Sequence, residues 1–147
     1  MEAYTDFASV YDTFMDETPY DVWGDFIAGL IEKYGVSKPS KTDKRELSEN
    51  ADFEAALAEE RNLIVELGCG TGSFTLEMAK RDYDIMGIDL SPEMLNIARQ
   101  KAQESGFDIM YLEQDMRELD LYCTTGTIVS VCDSINYLLD DADVIET

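Results

Sequence analysis

The sequence contains no histidine and only three cysteines among its 147 residues. Without histidine, the chain lacks the commonest general base at neutral pH and the commonest metal ligand. The cysteines, Cys69, Cys123 and Cys132, are odd in number and form no CxxC pair, which argues against a disulfide framework and against a zinc site. These absences favour metal-free chemistry that depends on positioning the reactants, in a reducing compartment such as the cytoplasm.

Basic residues are also scarce, because 11 lysines and arginines stand against 32 acidic residues and the formal net charge is −21. Such a surface repels phosphate backbones and anionic membranes, so we expect neither nucleic acid nor membrane as a partner. The N-terminus lacks the basic and apolar regions of a signal peptide, and no apolar run is long enough to span a bilayer. The composition therefore favours one cytoplasmic domain that acts on a small molecule.

The first 61 residues predict a helical region followed by a linker. Apolar residues at i, i+3, i+4 and i+7 predict a first helix, on which Phe7, Val10, Tyr11 and Phe14 share a face. Thr18-Pro19 begins a second helix that Gly35 ends, with one apolar face made of Trp23, Phe26, Ile27, Leu30, Ile31 and Tyr34. We interpret residues 1–35 as a helical lid. Residues 36–61 read as a linker or insert, first a solvated loop and then a short helix over 52–61.

From residue 62 onward, strands and helices alternate, which is typical of a parallel sheet with crossover helices. The pattern predicts strands at 63–67, 84–89, 109–113 and 127–132, helices from 73 to 80 and from 92 to Gly106, and a last helix beginning near Asn136. Ser91 and Pro92 are typical of the N-cap and first position of a helix. The sequence thus predicts an α/β domain with a parallel sheet over 62–147.

A glycine-rich loop, Glu66-Leu67-Gly68-Cys69-Gly70-Thr71-Gly72, joins the first strand to its helix. Glycines let the backbone approach a ligand closely. Their GxGxG spacing differs from the dinucleotide fingerprint GxGxxG, whose third small residue would fall at Ser73. Glu66 ends an apolar strand, where a buried carboxylate needs a partner, and an ammonium-bearing ligand would supply one. A tight turn without a ligand is the alternative.

Two further acids follow the next strands. Asp89 can accept hydrogen bonds from both hydroxyls of a ribose, and Asp115 can accept one from the exocyclic amine of adenine. Because the carboxyl ends of parallel strands meet at one edge, these acids and Glu66 are expected to line one crevice. The alternatives are that Asp89 only caps the following helix and that Asp115 is a loop residue.

The segments 65–75, Ile88-Asp89-Leu90-Ser91 and Gln114-Asp115-Met116 resemble the motifs of class I S-adenosylmethionine-dependent methyltransferases. Residues 4–12 and 130–137 resemble a bacterial subgroup of that family without an assigned substrate. The resemblance implies a Rossmann-like α/β fold, here the first four parallel strands in the order 3-2-1-4 with flanking helices, after two N-terminal helices. It also implies S-adenosylmethionine as the cofactor and a small-molecule methyl acceptor.

The resemblance further implies a role for individual residues. Gly68, Cys69, Gly70 and Gly72 would approach the methionine part of the cofactor, with Cys69 acting as a small buried residue rather than a nucleophile. Asp89 and Leu90 would bind the ribose, and Asp115 and Met116 the adenine. Cys132 and Asp133 would lie beside the sulfonium, and Tyr11 would cover it, although core packing is the alternative for that ring. No metal is required, and no general base is identified.

Members of this family usually have seven strands, so four strands predict a truncated product whose fourth strand has a bare edge. Such an edge favours self-association or binding of a partner. A cofactor-binding module without catalysis and a fragment of a nicotinamide-dependent oxidoreductase are the other functions that we consider.

Overall fold

The computed structural model describes residues 2–40 and 61–147. The predicted helix over 52–61 therefore falls outside the described residues, apart from Arg61, which lies in a turn. The elements are α1 (Glu2–Phe14), α2 (Tyr20–Tyr34), β1 (Ile64–Leu67), α3 (Ser73–Ala79), β2 (Ile85–Asp89), α4 (Pro92–Glu104), β3 (Met110–Glu113), β4 (Thr127–Val129), a 3-10 turn (Ser134–Tyr137) and α5 (Asp141–Glu146).

The four strands form one parallel sheet in the order β3-β2-β1-β4, which confirms the predicted α/β architecture. Glu66 on β1 lies opposite Gly87 on β2 and Val129 on β4. Because all four strands run the same way, the loops after β1, β2 and β3 leave the sheet at one edge, where open α/β sheets bind ligands.

Helices α3 and α4 cover one face of this sheet. Ile64 and Ile85 pack there against Phe74 and Met78 of α3. A second cluster on the same face is centred on α4, whose inward residues are those predicted from periodicity: Met94, Leu95, Ala98 and Ala102. The Ser91 hydroxyl accepts a hydrogen bond from Met94 N at 3.3 Å, which confirms Ser91 as the N-cap.

The opposite face is covered by the segment that follows β3. Because side chains alternate between the two faces of a strand, this face buries a different set: Val65 and Leu67 from β1, and Met86 and Ile88 from β2. Met116, Leu119 and Leu121 of the covering segment pack against them, together with Leu63 and with Leu112 of β3. Burial on both faces explains why β1 and β2 are almost continuously apolar.

The N-terminal helices pack on the helical layer, α1 against α4 and α2 against α3. The predicted apolar face of α2 is wrong at Phe26 and Tyr34, which are 65% and 72% exposed. The face turned inward contains Gly24 and Ile31, because Gly24 lets the helix approach the Arg81 side chain: a Cβ there would lie 2.8 Å from the guanidinium carbon. Phe14 of α1 is likewise exposed.

Residues 36–40 correct the prediction of a solvated loop over the first part of the linker. Ser37 is buried, and its hydroxyl lies 2.7 Å from that of Thr127 at the start of β4. The Lys38 amide donates a hydrogen bond to Asn62 Oδ1 at 3.2 Å. This segment is therefore held against the amino end of the sheet, since its polar groups have partners there.

The end of the chain also differs from the prediction. β4 stops at Val129, and Cys132 and Asp133 adopt left-handed conformations with φ of 54° and 55°. The 3-10 turn and α5 replace the single helix predicted near Asn136. The left-handed turn interrupts both the strand and the following helix, which hydrophobic periodicity cannot reveal. Among the described residues, no helix is long and apolar enough to cross a membrane.

Candidate functional site

The glycine loop connects β1 to α3 through three glycines with positive φ. These angles are 69° at Gly68, 54° at Gly70 and 74° at Gly72, a region that residues with a Cβ rarely adopt. The amides of Gly68 and Cys69 both donate to the Ile88 carbonyl, at 2.8 and 3.0 Å. The loop is therefore anchored to β2 at the carboxyl edge of the sheet.

The three glycines have different surroundings. A Cβ on Gly72 would lie 2.6 Å from the Tyr111 hydroxyl, and one on Gly68 would lie 2.5 Å from the Ser134 side chain. A Cβ on Gly70 would meet no atom of the described residues within 4 Å. Protein packing thus accounts for Gly68 and Gly72, whereas at Gly70 the backbone is open to an approaching ligand.

Asp89 lies at the end of β2, directly beside this open position. One carboxylate oxygen accepts a hydrogen bond from Gly70 N at 2.8 Å, and the other accepts one from Ser91 N at 2.9 Å. Each carboxylate oxygen has a second lone pair, so the side chain can still accept bonds from a ligand. Leu90 is 63% exposed next to it. Asp89 therefore organises the loop and keeps acceptor capacity toward the crevice.

Glu66 lies beneath the loop, within the helical layer. Its side chain is fully buried and accepts a hydrogen bond from the Thr75 hydroxyl at 2.5 Å. Burial raises the pKa of Glu66 to about 8, despite the opposing effect of the Thr75 bond. Thr75 is thus a hydrogen-bond partner for Glu66, a role that the sequence analysis gave to the ammonium group of a ligand. Contact of Glu66 with a cofactor stays a prediction.

Asp115 follows β3 and is held by Arg117. Arg117 bonds both carboxylate oxygens, with Nε at 3.0 Å from Oδ1 and a terminal nitrogen at 2.6 Å from Oδ2, and these bonds lower the pKa of Asp115 to about 2. The other terminal nitrogen reaches Asp143 of α5 at 3.1 Å. Met116 lies next to the loop, since a Cβ on Gly68 would be 3.5 Å from its Cε.

Residues from α1, α2 and the segment after β4 come together near the loop. The Cys132 thiol lies 4.0 Å from the Tyr20 hydroxyl. Burial raises the pKa of both Tyr11 and Tyr20, and the neighbouring Cys132 raises it further. Tyr11 is also within electrostatic range of Asp89. The structure therefore brings Tyr11, Cys132 and Asp89 into one region, while Asp133 is exposed at its margin.

Sequence reasoning missed Tyr20, although its place in the first turn after Thr18-Pro19 was a usable signal. Sequence reasoning also missed a polar network beneath α1. Asp12 accepts hydrogen bonds from the Thr71 hydroxyl at 2.5 Å and from Lys101 Nζ at 2.9 Å. Lys101 also donates to the hydroxyls of Ser73, at 2.6 Å, and Thr71, at 3.4 Å. The only signal for Asp12 was its position directly after Tyr11.

Two other observations limit the chemistry of the site. Burial raises the pKa of the Cys69 thiol, as do the neighbouring Glu66 and Asp89, so this cysteine is neutral and suited to packing. Within residues 2–40 and 61–147 there is no group of three or more side chains placed to hold a metal ion. A cavity of about 220 Å³ opens beside the network, lined by Asp12, Met15, Asp16, Tyr20, Ser73 and Lys101.

The chain is similar to known methyltransferases. Residues 64–147 match the methyltransferase domain family. YqeM of Bacillus subtilis, a methyltransferase by name, is 38% identical over 145 residues, which are 98% of this chain and 47% of YqeM. A solved S-adenosylmethionine-dependent methyltransferase from Clostridium acetobutylicum is 27% identical with a TM-score of 0.65, over 98% of this chain and 50% of that one.

Streptomyces venezuelae DesVI has the same fold, with a TM-score of 0.71 at 23% identity, over 95% of this chain and 48% of DesVI. The chain therefore spans about half the length of the curated and solved relatives that it matches.

Proposed function

Because the chain belongs to the class I S-adenosylmethionine-dependent methyltransferases, we propose that it holds the cofactor of that family in the crevice between the glycine loop, Asp89 and Asp115. We further propose that the methyl group goes to a small-molecule acceptor and that the chain acts in the cytoplasm. Membership of this family displaces the nicotinamide-dependent alternative.

The observation that carries the proposal is the pairing of Gly70 with Asp89. Gly70 has a left-handed backbone and an open side, and Asp89 holds its amide at 2.8 Å while keeping free lone pairs. The bonds from Gly70 N and Ser91 N give Asp89 a structural role, and its remaining lone pairs beside the open face of Gly70 support a second role toward a ligand. Charge-assisted bonds to a desolvated carboxylate contribute roughly 1.5 to 3 kcal/mol each, which is enough to orient a ribose.

The cofactor, when bound, supplies a methyl group on a positively charged sulfur. The chain would position this sulfonium and exclude water around it. Tyr11 and Tyr20 suit that task because their rings favour cations and their raised pKa values keep both hydroxyls neutral. The net charge of −21 supports an acceptor that is neutral or cationic rather than a nucleic acid.

Calorimetric titration with S-adenosylhomocysteine and S-adenosylmethionine tests this proposal. Asp89→Ala should weaken binding by about 1.5 to 3 kcal/mol, roughly ten- to a hundredfold. Asp84→Ala is the matched control, since Asp84 is exposed and precedes the opposite end of the same strand. Unchanged affinity in a folded Asp89→Ala protein would refute the ribose assignment, and absence of binding by the wild-type chain would refute the function.

A binding module without turnover is the second candidate, because the chain spans about half the length of its relatives. The bare edge of β4 also supports self-association, since β4 pairs with β1 and has no second strand neighbour among the described residues. Cofactor binding without methyl transfer to any member of a panel of small-molecule amines and alcohols would favour the module. Methyl transfer by the isolated chain would exclude it.

A further inference from the structure

The network beneath α1 joins three separate parts of the chain. Asp12 comes from α1, Thr71 from the glycine loop and Lys101 from α4, 89 residues away from Asp12. Lys101 extends the connection to Ser73 at the start of α3. We call Asp12, Thr71, Ser73 and Lys101 the latch. It connects the N-terminal helix directly to the loop that forms the candidate cofactor site.

Apolar packing of α1 is limited among the side chains that the structure describes. Ala8 is buried, but Phe7 and Val10 are 40% and 42% exposed and Phe14 is 75% exposed. The ion pair of the latch is partly shielded, with side-chain exposures of 26% for Lys101 and 41% for Asp12. Because these apolar side chains are only partly covered, the latch adds to the packing that fastens α1 to the fold.

The latch also determines where Tyr11 lies, because Tyr11 precedes Asp12 on the same helix. With Asp12 bonded to Thr71, Tyr11 is brought to the side of the loop where Cys132 and Asp89 lie. Release of α1 would move this ring away from the crevice and expose the crevice to water. A cofactor that is covered by Tyr11 could leave only after this helix opens.

From these contacts we propose that Asp12 and Lys101 are positioning residues that fasten α1 over the glycine loop and slow cofactor release. This inference rests on the proposed function, because it assumes that the cofactor binds beside Gly70. The two residues would not touch the reacting atoms. They act through the placement of Tyr11 and α1.

The test compares Asp12→Asn and Lys101→Met with the wild-type chain. Both variants keep the approximate shape of the side chain and remove the charge. Lys80→Met is the matched control, because Lys80 directly follows α3 as its C-cap residue and its ammonium group also pairs with a carboxylate, that of Glu77 on α3. Hydrogen exchange of a peptide covering residues 7–15 measures opening of α1, and residues 20–34 of α2 provide the internal reference.

Both latch variants should speed exchange in residues 7–15 and raise the dissociation rate of S-adenosylhomocysteine about three- to tenfold, with a smaller change in the association rate. The double variant should be no worse than the more severe single one, since the pair acts as a unit. High salt should speed exchange and dissociation in the wild type more than in the variants. Lys80→Met should change neither quantity.

If residues 7–15 exchange at the wild-type rate in both variants, the latch does not hold α1 and the proposal is overturned. Faster exchange with an unchanged dissociation rate would overturn the positioning role, even though the latch exists. If the wild-type chain binds no S-adenosylhomocysteine, the proposed function fails, whereas the exchange experiment still decides whether Asp12 and Lys101 hold α1.

Discussion

The buried carboxyl of Glu66 makes a sharp prediction about stability and pH. Burial raises its pKa from 4.5 to about 8 in the folded chain, whereas the unfolded chain exposes it to water. Between these two pH values the folded state holds a proton that the unfolded state has lost. The contribution of this proton to the free energy of unfolding is therefore fully present below pH 4.5 and is lost as the pH rises toward 8.

The size of the effect follows from the two pKa values. Each unit of difference is worth about 1.4 kcal/mol, so the full shift amounts to about 5 kcal/mol across the window. Glu66→Gln replaces the carboxyl with a neutral group of the same shape, which removes this dependence. The free energy of unfolding of the variant, relative to wild type, should therefore rise by about 3 kcal/mol from pH 5.5 to pH 7.5.

Urea unfolding at pH 5.5, 6.5 and 7.5 measures this difference, with the fluorescence of Trp23, the single tryptophan, as the probe. Asp115→Asn is the control. Its bonds with Arg117 lower the pKa of Asp115 to about 2, so its contribution to stability is already complete above pH 4 and its effect should not vary over this range. A constant difference between Glu66→Gln and wild type would refute the reasoning.

Two further predictions concern the loop and the sheet edge. Gly70→Ala should cost about 1 to 2 kcal/mol of stability from its left-handed backbone and should weaken S-adenosylhomocysteine binding, because the new Cβ occupies the open side. In Gly72→Ala the new Cβ meets Tyr111, so this variant should lose about 3 kcal/mol or more of stability in urea unfolding. Equal stabilities of the two alanine variants would contradict the distinction between an open Gly70 and a packed Gly72. Light scattering after size exclusion should detect concentration-dependent association that Ile128→Lys reduces. A stable wild-type monomer at micromolar concentration would rule out association through the β4 edge.

The regular elements of the Rossmann-like part could be predicted from the sequence to within a few residues. Ser91 as N-cap and the buried positions of α4 agree with the structure because they depend on local spacing along one helix. The inward face of α2 could be predicted only in part. Trp23, Ile27 and Ile31 pack against the core as their spacing predicts. Phe26, Leu30 and Tyr34 are exposed instead. The exact orientation of the helix depends on Gly24 meeting Arg81 from another part of the chain, which periodicity within the helix does not encode.

For the candidate site, sequence reasoning located the glycine loop, Asp89, Asp115 and the family. A GxGxG turn between a strand and a helix is a local pattern, and its chemistry follows from backbone approach. The sequence also placed acids at the ends of consecutive strands, which parallel pairing brings to one edge. The loop and the acids required only residue type, order and spacing, whereas the family followed from the resemblance of these segments to known methyltransferase motifs.

Tertiary structure alone decided which partner each acid has. Thr75 bonds Glu66, Arg117 links Asp115 to α5, and Lys101 meets Asp12 across 89 residues. It also separated Gly70, which is open, from Gly68 and Gly72, which are packed. Such pairings depend on how helices and loops approach one another in space, because a side chain selects its partner by distance and direction rather than by position along the chain.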